Sequence, residues 1–97
     1  MPFAKKLVLH CPNGMPANIA ELAAQFAVDG VKLVALVGPA CREIEDIVDE
    51  AAIAAGSPER NFILTSAHPG ESLADVIEFV EGFVGECDGP VQVVELR

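Results

Sequence analysis

Four short runs of strand-like composition, at residues 7–11, 31–37, 61–66 and 91–96, alternate with three stretches that carry apolar residues at helical spacing. Parallel strands require crossover connections of about a dozen residues or more, usually a helix, whereas antiparallel neighbours can be joined by a tight turn. The alternation therefore predicts β-α-β-α-β-α-β with a four-stranded parallel sheet and right-handed connections. The first run is the most informative. Leu7, Val8 and Leu9 lead without a polar interruption into His10, Cys11, Pro12, Asn13 and Gly14. An apolar run bounded by Pro and Gly fits a parallel strand covered on both faces.

The connecting segments carry their own start and stop signals. Pro16 suits the first turn of a helix that places Ile19, Leu22, Ala23, Phe26 and Ala27 on one face and stops at Asp29 and Gly30. Pro39 marks a second start, followed by Ile44, Ile47, Val48 and Ala51 at spacings of three and four and an acidic outer face, with an end near Gly56. Ser72 and Asp75 resemble a capping box ahead of Leu73, Val76, Ile77 and Val80, with an end at Gly85. Gln92 and Glu95 in the last run suggest an edge strand.

Ninety-seven residues make one domain, 1–97, with a single core. The expected fold is a three-layer, doubly wound α/β domain of the Rossmann or flavodoxin kind. With helices on both faces the most economical strand order is 2-1-3-4, which reverses direction between strands 1 and 3. Ligands of open α/β sheets bind at such reversals, outside the carboxyl ends of the strands. That order brings the loop 10–14 beside the loop 66–70 and makes His10, Cys11, Asn13, Gly14, Ser66, His68 and Gly70 the candidate ligand-binding residues. A strand order of 1-2-3-4 separates the two loops.

Charge and cysteine usage exclude several classes of function. Six basic against fifteen acidic side chains give an acidic protein of net charge −9, whose field repels nucleic acid and anionic membrane surfaces. No run approaches the length of a membrane span. Cys11, Cys41 and Cys87 are an odd number with no C-x-x-C pair, and no signal-peptide pattern precedes the first strand, so the natural setting is a reducing cytoplasm. Cys87, in a polar turn, reads as an exposed thiol.

The expected site contains groups capable of chemistry. Cys11 at a strand-to-helix turn is a candidate nucleophile, since helix N–H groups lower a thiol pKa, and His68 is the candidate base. Cys11, Cys41 and His68 are candidate metal ligands, because zinc accepts thiolate and imidazole; the more frequent state of such side chains is a buried cysteine or a hydrogen-bonded histidine. His10 and Cys11 are adjacent on a strand and point to opposite faces. Glu71 and Asp75 have a sufficient role at the helix N-terminus.

Three resemblances add to this reading. Residues 9–15, Leu-His-Cys-Pro-Asn-Gly-Met, are similar to the cysteine loop of phosphotransferase-system B components, which are small parallel α/β domains that carry a phosphocysteine. Pro16 and Ala17 stand where that loop has Ser or Thr. His10-Cys11 resembles the opening of the tyrosine-phosphatase and rhodanese signature, but its Arg position is Ala17, which removes the clamp for phosphoryl oxygens. Over nearly its full length the chain resembles a group of short bacterial proteins of unknown function that share the His-Cys-Pro-Asn-Gly turn, a Gly-x-x-Cys with an acidic second helix, and a Thr-Ser-x-His-Pro-Gly-Glu turn. That resemblance implies the fold and no activity.

The leading expectation is a binding module for a small molecule or protein partner at the loops after strands 1 and 3. The alternatives are a cysteine-centred transferase or hydrolase using Cys11, and a Cys/His metal site. Self-association into a homodimer through the last strand is a third class, because an exposed edge invites pairing.

Overall fold

In the computed structural model of the chain, which describes residues 3–54, 63–83 and 89–96, strands and helices alternate throughout. They are β1 (Lys6–His10), α1 (Ile19–Asp29), β2 (Leu33–Val37), α2 (Cys41–Ala54), β3 (Leu64–Ala67), α3 (Leu73–Glu81) and β4 (Val91–Glu95). The four strands form one sheet in which every neighbouring pair is parallel. The expected end of the second helix at Gly56, and Cys87, lie outside the described residues. The third helix ends at Glu81 with Gly82 as its C-cap, short of the expected Gly85, and the third strand begins at Leu64, after the expected start at Asn61.

The strand order is β3-β2-β1-β4, not the expected 2-1-3-4. The reason lies in where the helices pack. Ile19, Ala23, Phe26 and Ala27 of α1 share one apolar cluster with Cys41, Ile44 and Val48 of α2. Two successive right-handed crossovers on the same side of a sheet advance in the same direction, so β2 follows β1 and β3 follows β2. Val76 and Val80 of α3 belong to a different cluster. A right-handed crossover from the opposite face runs back across the sheet and delivers β4 to the free side of β1. The order 2-1-3-4 requires α1 and α2 on opposite faces.

Strand alternation divides the core accordingly. Leu7, Leu9, Val34 and Leu36 join α1 and α2, while Val8, Leu33, Ala35 and Val37 join α3. β1 and β2 are therefore buried on both faces, and each fully buried Leu or Val contributes roughly 1.5–3 kcal/mol. Phe26 is the largest fully buried side chain, and the Phe3 ring meets it edge-on at 4.9 Å. β4 lies at an edge of the sheet, as Gln92 and Glu95 suggest. Lys6 is buried at the start of β1, and its ammonium donates to the Phe83 carbonyl at 2.9 Å, just past the end of α3. A cation there also suits the negative end of the helix dipole.

The glycine and serine signals at the helix ends act and the two prolines do not, since α2 begins at Cys41, two residues past Pro39. Gly30 closes α1 in the left-handed region, its N–H reaching the Phe26 and Ala27 carbonyls. The Ser72 hydroxyl caps α3 by accepting from the Asp75 N–H at 3.2 Å, a contact type worth about 1 kcal/mol. Pro16 does not open α1. The first helical bond runs from Leu22 N–H to the Asn18 carbonyl, and residues before it turn instead, with Gly14 at φ 95°.

At the C-terminal edge the ladders continue past the strand ends. Cys11 N–H donates to the Val37 carbonyl, His68 N–H to Leu36 and Leu96 N–H to His10. This holds the loop after β1 hard against the end of β2. A Cβ at Gly38 would stand 2.2 Å from the Cys11 carbonyl oxygen, and Gly38 has φ 134°. Gly70 also has positive φ, at 76°, but nothing lies within 4 Å of its Cβ position. Gly38→Ala should therefore lower the unfolding free energy by about 3 kcal/mol or more, from strain plus overlap, and Gly70→Ala by only about 1–2 kcal/mol. Urea denaturation of the two variants measures this; equal losses would mean that the approach of the two loops is not limiting.

Candidate functional site

The reversal of strand order falls at β1, which has β2 on one side and β4 on the other. This displaces the site expected from the sequence. β2 stands between β1 and β3, so the loop 10–14 and the loop 66–70 leave strands that are not neighbours. The partner of the first loop across the reversal is the end of β4. His10 and Glu95 are register partners there, and His10 Nδ1 lies 3.1 Å from Glu95 Oε1. The pair is partly open to solvent, at 21% and 39% exposure.

The loop that follows carries the chain from β1 to α1. Gly14 N–H donates to the Cys11 carbonyl at 3.3 Å and closes a turn, and the positive φ of Gly14, 95°, then redirects the chain toward α1. Asn13, Met15 and Asn18 are exposed. Asn18 is the N-cap of α1, yet its side chain makes no capping hydrogen bond. The first-turn N–H groups of α1 therefore have no side-chain cap from that residue, with Glu21 the acidic residue in the same turn.

Cys11 is fully buried in the cluster formed with α1 and α2, and burial pushes its thiol above the ordinary value. This is the opposite of the shift an activated nucleophile needs. Cys41 belongs to the same cluster, and both are free thiols. His68 is buried too, but its ring meets Phe79 of α3, with centroids 4.8 Å apart. Cys11 and Cys41 thus pack with α1 and α2 while His68 packs with α3, and the fold does not pair Cys11 with His68. Among the described residues no group of three or more His, Cys, Asp or Glu is placed to hold a metal ion.

Ser66, His68 and Gly70 stand at the end of β3 and in the turn beyond it. Ser66 Oγ is 2.7 Å from His68 Nε2, and Glu71 Oε2 is 2.9 Å from His68 Nδ1. Thr65, on the alternate face, donates to Asp49 of α2 at 2.8 Å. Two acidic residues thus hold the two histidines, and sequence reasoning assigned neither to a site. Glu95 signalled only an edge strand, and its partner is 85 positions away. Glu71 was legible in principle, since it follows His68 by three residues at the start of a helix.

A family model described as a domain of unknown function (DUF7684) matches residues 1–88. Neither the curated proteins nor the solved structures contain a match to the chain. Among the described residues no helix is long and apolar enough to cross a membrane.

The buried thiol has two measurable consequences. Iodoacetamide should modify Cys11 far more slowly in the folded chain than in urea, and comparable rates would contradict its burial. The folded state also holds the Cys11 proton more tightly than the unfolded state. Its contribution to stability is complete below the unfolded thiol pKa of about 8.5 and is lost as pH rises through the higher folded value. The melting temperature of the wild-type chain should therefore fall more steeply above pH about 9 than that of Cys11→Ala; parallel curves would exclude a raised thiol.

Proposed function

The chain belongs to this family of domains of unknown function, and from its geometry we propose that it is a binding module for a small polar molecule, seated where the strand order reverses at the ends of β1 and β4. The observation that carries the reading is the His10–Glu95 pair, which spans that reversal at 3.1 Å. Open α/β sheets bind ligands outside the carboxyl ends of their strands, at the point where the strand order reverses. With Nδ1 engaged by Glu95, Nε2 is the ring atom that meets a ligand. In the neutral ring with Nδ1–H on the carboxylate, Nε2 accepts a hydrogen bond. Asn13 and Gly14 supply amide and backbone groups from the loop between β1 and α1, beside the uncapped start of that helix. The net charge of −9 and the carboxylates of Glu95 and Glu21 favour a neutral or cationic ligand over nucleic acid or an anionic membrane.

A fragment screen of neutral and cationic polar compounds by amide NMR tests this. Shift changes should gather at residues 10–18 and 94–96 and vanish in His10→Ala. Changes centred on residues 66–72, or none at the first cluster, would overturn the assignment.

The position of β4 favours a second reading, pairing of two copies along that strand. Val93 is 43% exposed on an edge strand, and an apolar edge is a template for another chain. In that case Val93→Lys should lower the mass seen by light scattering without loss of fold, and an unchanged mass would eliminate this edge.

A further inference from the structure

The polar groups at the end of β3 form a connected chain that the binding reading does not use. Ser66 lies on β3 and His68 follows its last residue, where the His68 N–H continues the ladder to the Leu36 carbonyl, so the two project from one face. Ser66 is in register with Ala35, which packs with α3, so this face is the one that α3 covers. Ser66 Oγ lies 2.7 Å from Nε2 of His68, and Glu71 Oε2 lies 2.9 Å from Nδ1. An ionised carboxylate only accepts, so Nδ1 donates its proton to Glu71. In the neutral ring Nε2 is then the acceptor, and the Ser66 hydroxyl donates to it. Nucleophile, base and orienting acid thus stand in the order, and on the ring atoms, that serine acyl transfer uses.

We propose that Ser66 is a catalytic nucleophile with His68 as its general base and Glu71 as the positioning residue, acting on small esters with an apolar acyl group. The apolar preference comes from the surroundings. Leu64, two residues before Ser66 on the same face, is 38% exposed, and Phe79, against the His68 ring, is 44% exposed. Ser66 itself is half-buried. An acyl chain laid on Leu64 and Phe79 brings its carbonyl to the serine.

The reaction balances without a further reagent. Ser66 Oγ bonds the acyl carbon as its proton passes to His68 Nε2. The bond from that carbon to the leaving oxygen breaks, and Nε2 returns the proton to release an alcohol. Water then gives a proton to Nε2 and its oxygen bonds the acyl carbon. The Oγ–acyl bond breaks, and the proton on Nε2 restores the hydroxyl. Ester and water become acid and alcohol. Glu71 keeps the imidazole in the tautomer that accepts from Ser66 throughout.

The site lies two strands from His10, so its success or failure is independent of the binding reading. The full chain is treated with an alkyl fluorophosphonate across pH 5–9, and the modified residue is located by peptide mass spectrometry. Here Oγ displaces fluoride from phosphorus, and the serine proton goes to Nε2. An adduct on Ser66 is expected, with a rate that is lower at acid than at neutral pH, as for a general base in its unprotonated form. It should be absent from Ser66→Ala, whose fold is checked by circular dichroism. Glu71→Gln should slow it by at least about tenfold and alter its pH profile, because the wrong tautomer is then favoured; a residue that only locks the turn would leave that profile unchanged. p-Nitrophenyl butyrate should be hydrolysed by the wild type and not by Ser66→Ala. Absence of a Ser66 adduct in the folded chain, or hydrolysis unchanged by Ser66→Ala, would overturn the proposal.

Discussion

β1 is hydrogen-bonded on both sides, to β2 and β4, and buried on both faces. Every other element is placed by it. Leu7 and Leu9 receive α1 and α2, and Val8 receives α3, so a polar side chain at any of these positions would be buried without a partner. The same strand also sets the geometry of the C-terminal edge. The Cys11 N–H extends the ladder onto β2, and the Cys11 carbonyl approaches Gly38 so closely that no side chain fits there. The first loop therefore leaves from a fixed point, which is a requirement for a site built on rigid elements.

Polar chemistry is distributed unevenly around that frame. Cys11 and Cys41 at the C-terminal edge are buried with α1 and α2, and burial pushes the Cys11 thiol above its ordinary value. Both histidines are held through Nδ1 by a glutamate, His10 by Glu95 and His68 by Glu71. They differ in burial and in what the rest of the ring meets. His10 is partly open, on a strand flanked by two others. His68 is buried, with Nε2 engaged by Ser66. One ring is partly exposed beside its carboxylate, and the other is enclosed between a hydroxyl and a carboxylate.

The local features of the chain were legible because their causes are local. Gly30 ends α1 in the left-handed conformation that glycine favours, and Ser72 caps α3 through Asp75, three residues on. The parallel sheet follows from helices interposed between consecutive strands, and the edge position of β4 from Gln92 and Glu95. Pro16 misled, because a proline compatible with a helix start is equally compatible with the turn that precedes one. Of the candidate site, the turn after β1 was legible from Pro12 and Gly14, but the loop 66–70 was expected beside it and belongs two strands away.

The amino-acid sequence by itself determined the order of the elements, the parallel pairing of the strands and the capping of the helices, since each depends on neighbours a few residues apart or on the length of a connection. Only the tertiary structure decided the strand order and the partners of the histidines. An apolar stripe at helical spacing states that a helix is covered, not which face of the sheet covers it. Packing α1 and α2 in one cluster and α3 in the other turned three right-handed crossovers into the order β3-β2-β1-β4. That choice set Glu95 beside His10 across 85 positions of chain and moved Ser66 and His68 away from Cys11. Contacts of that range arise from the packing of whole elements, and no short segment encodes them.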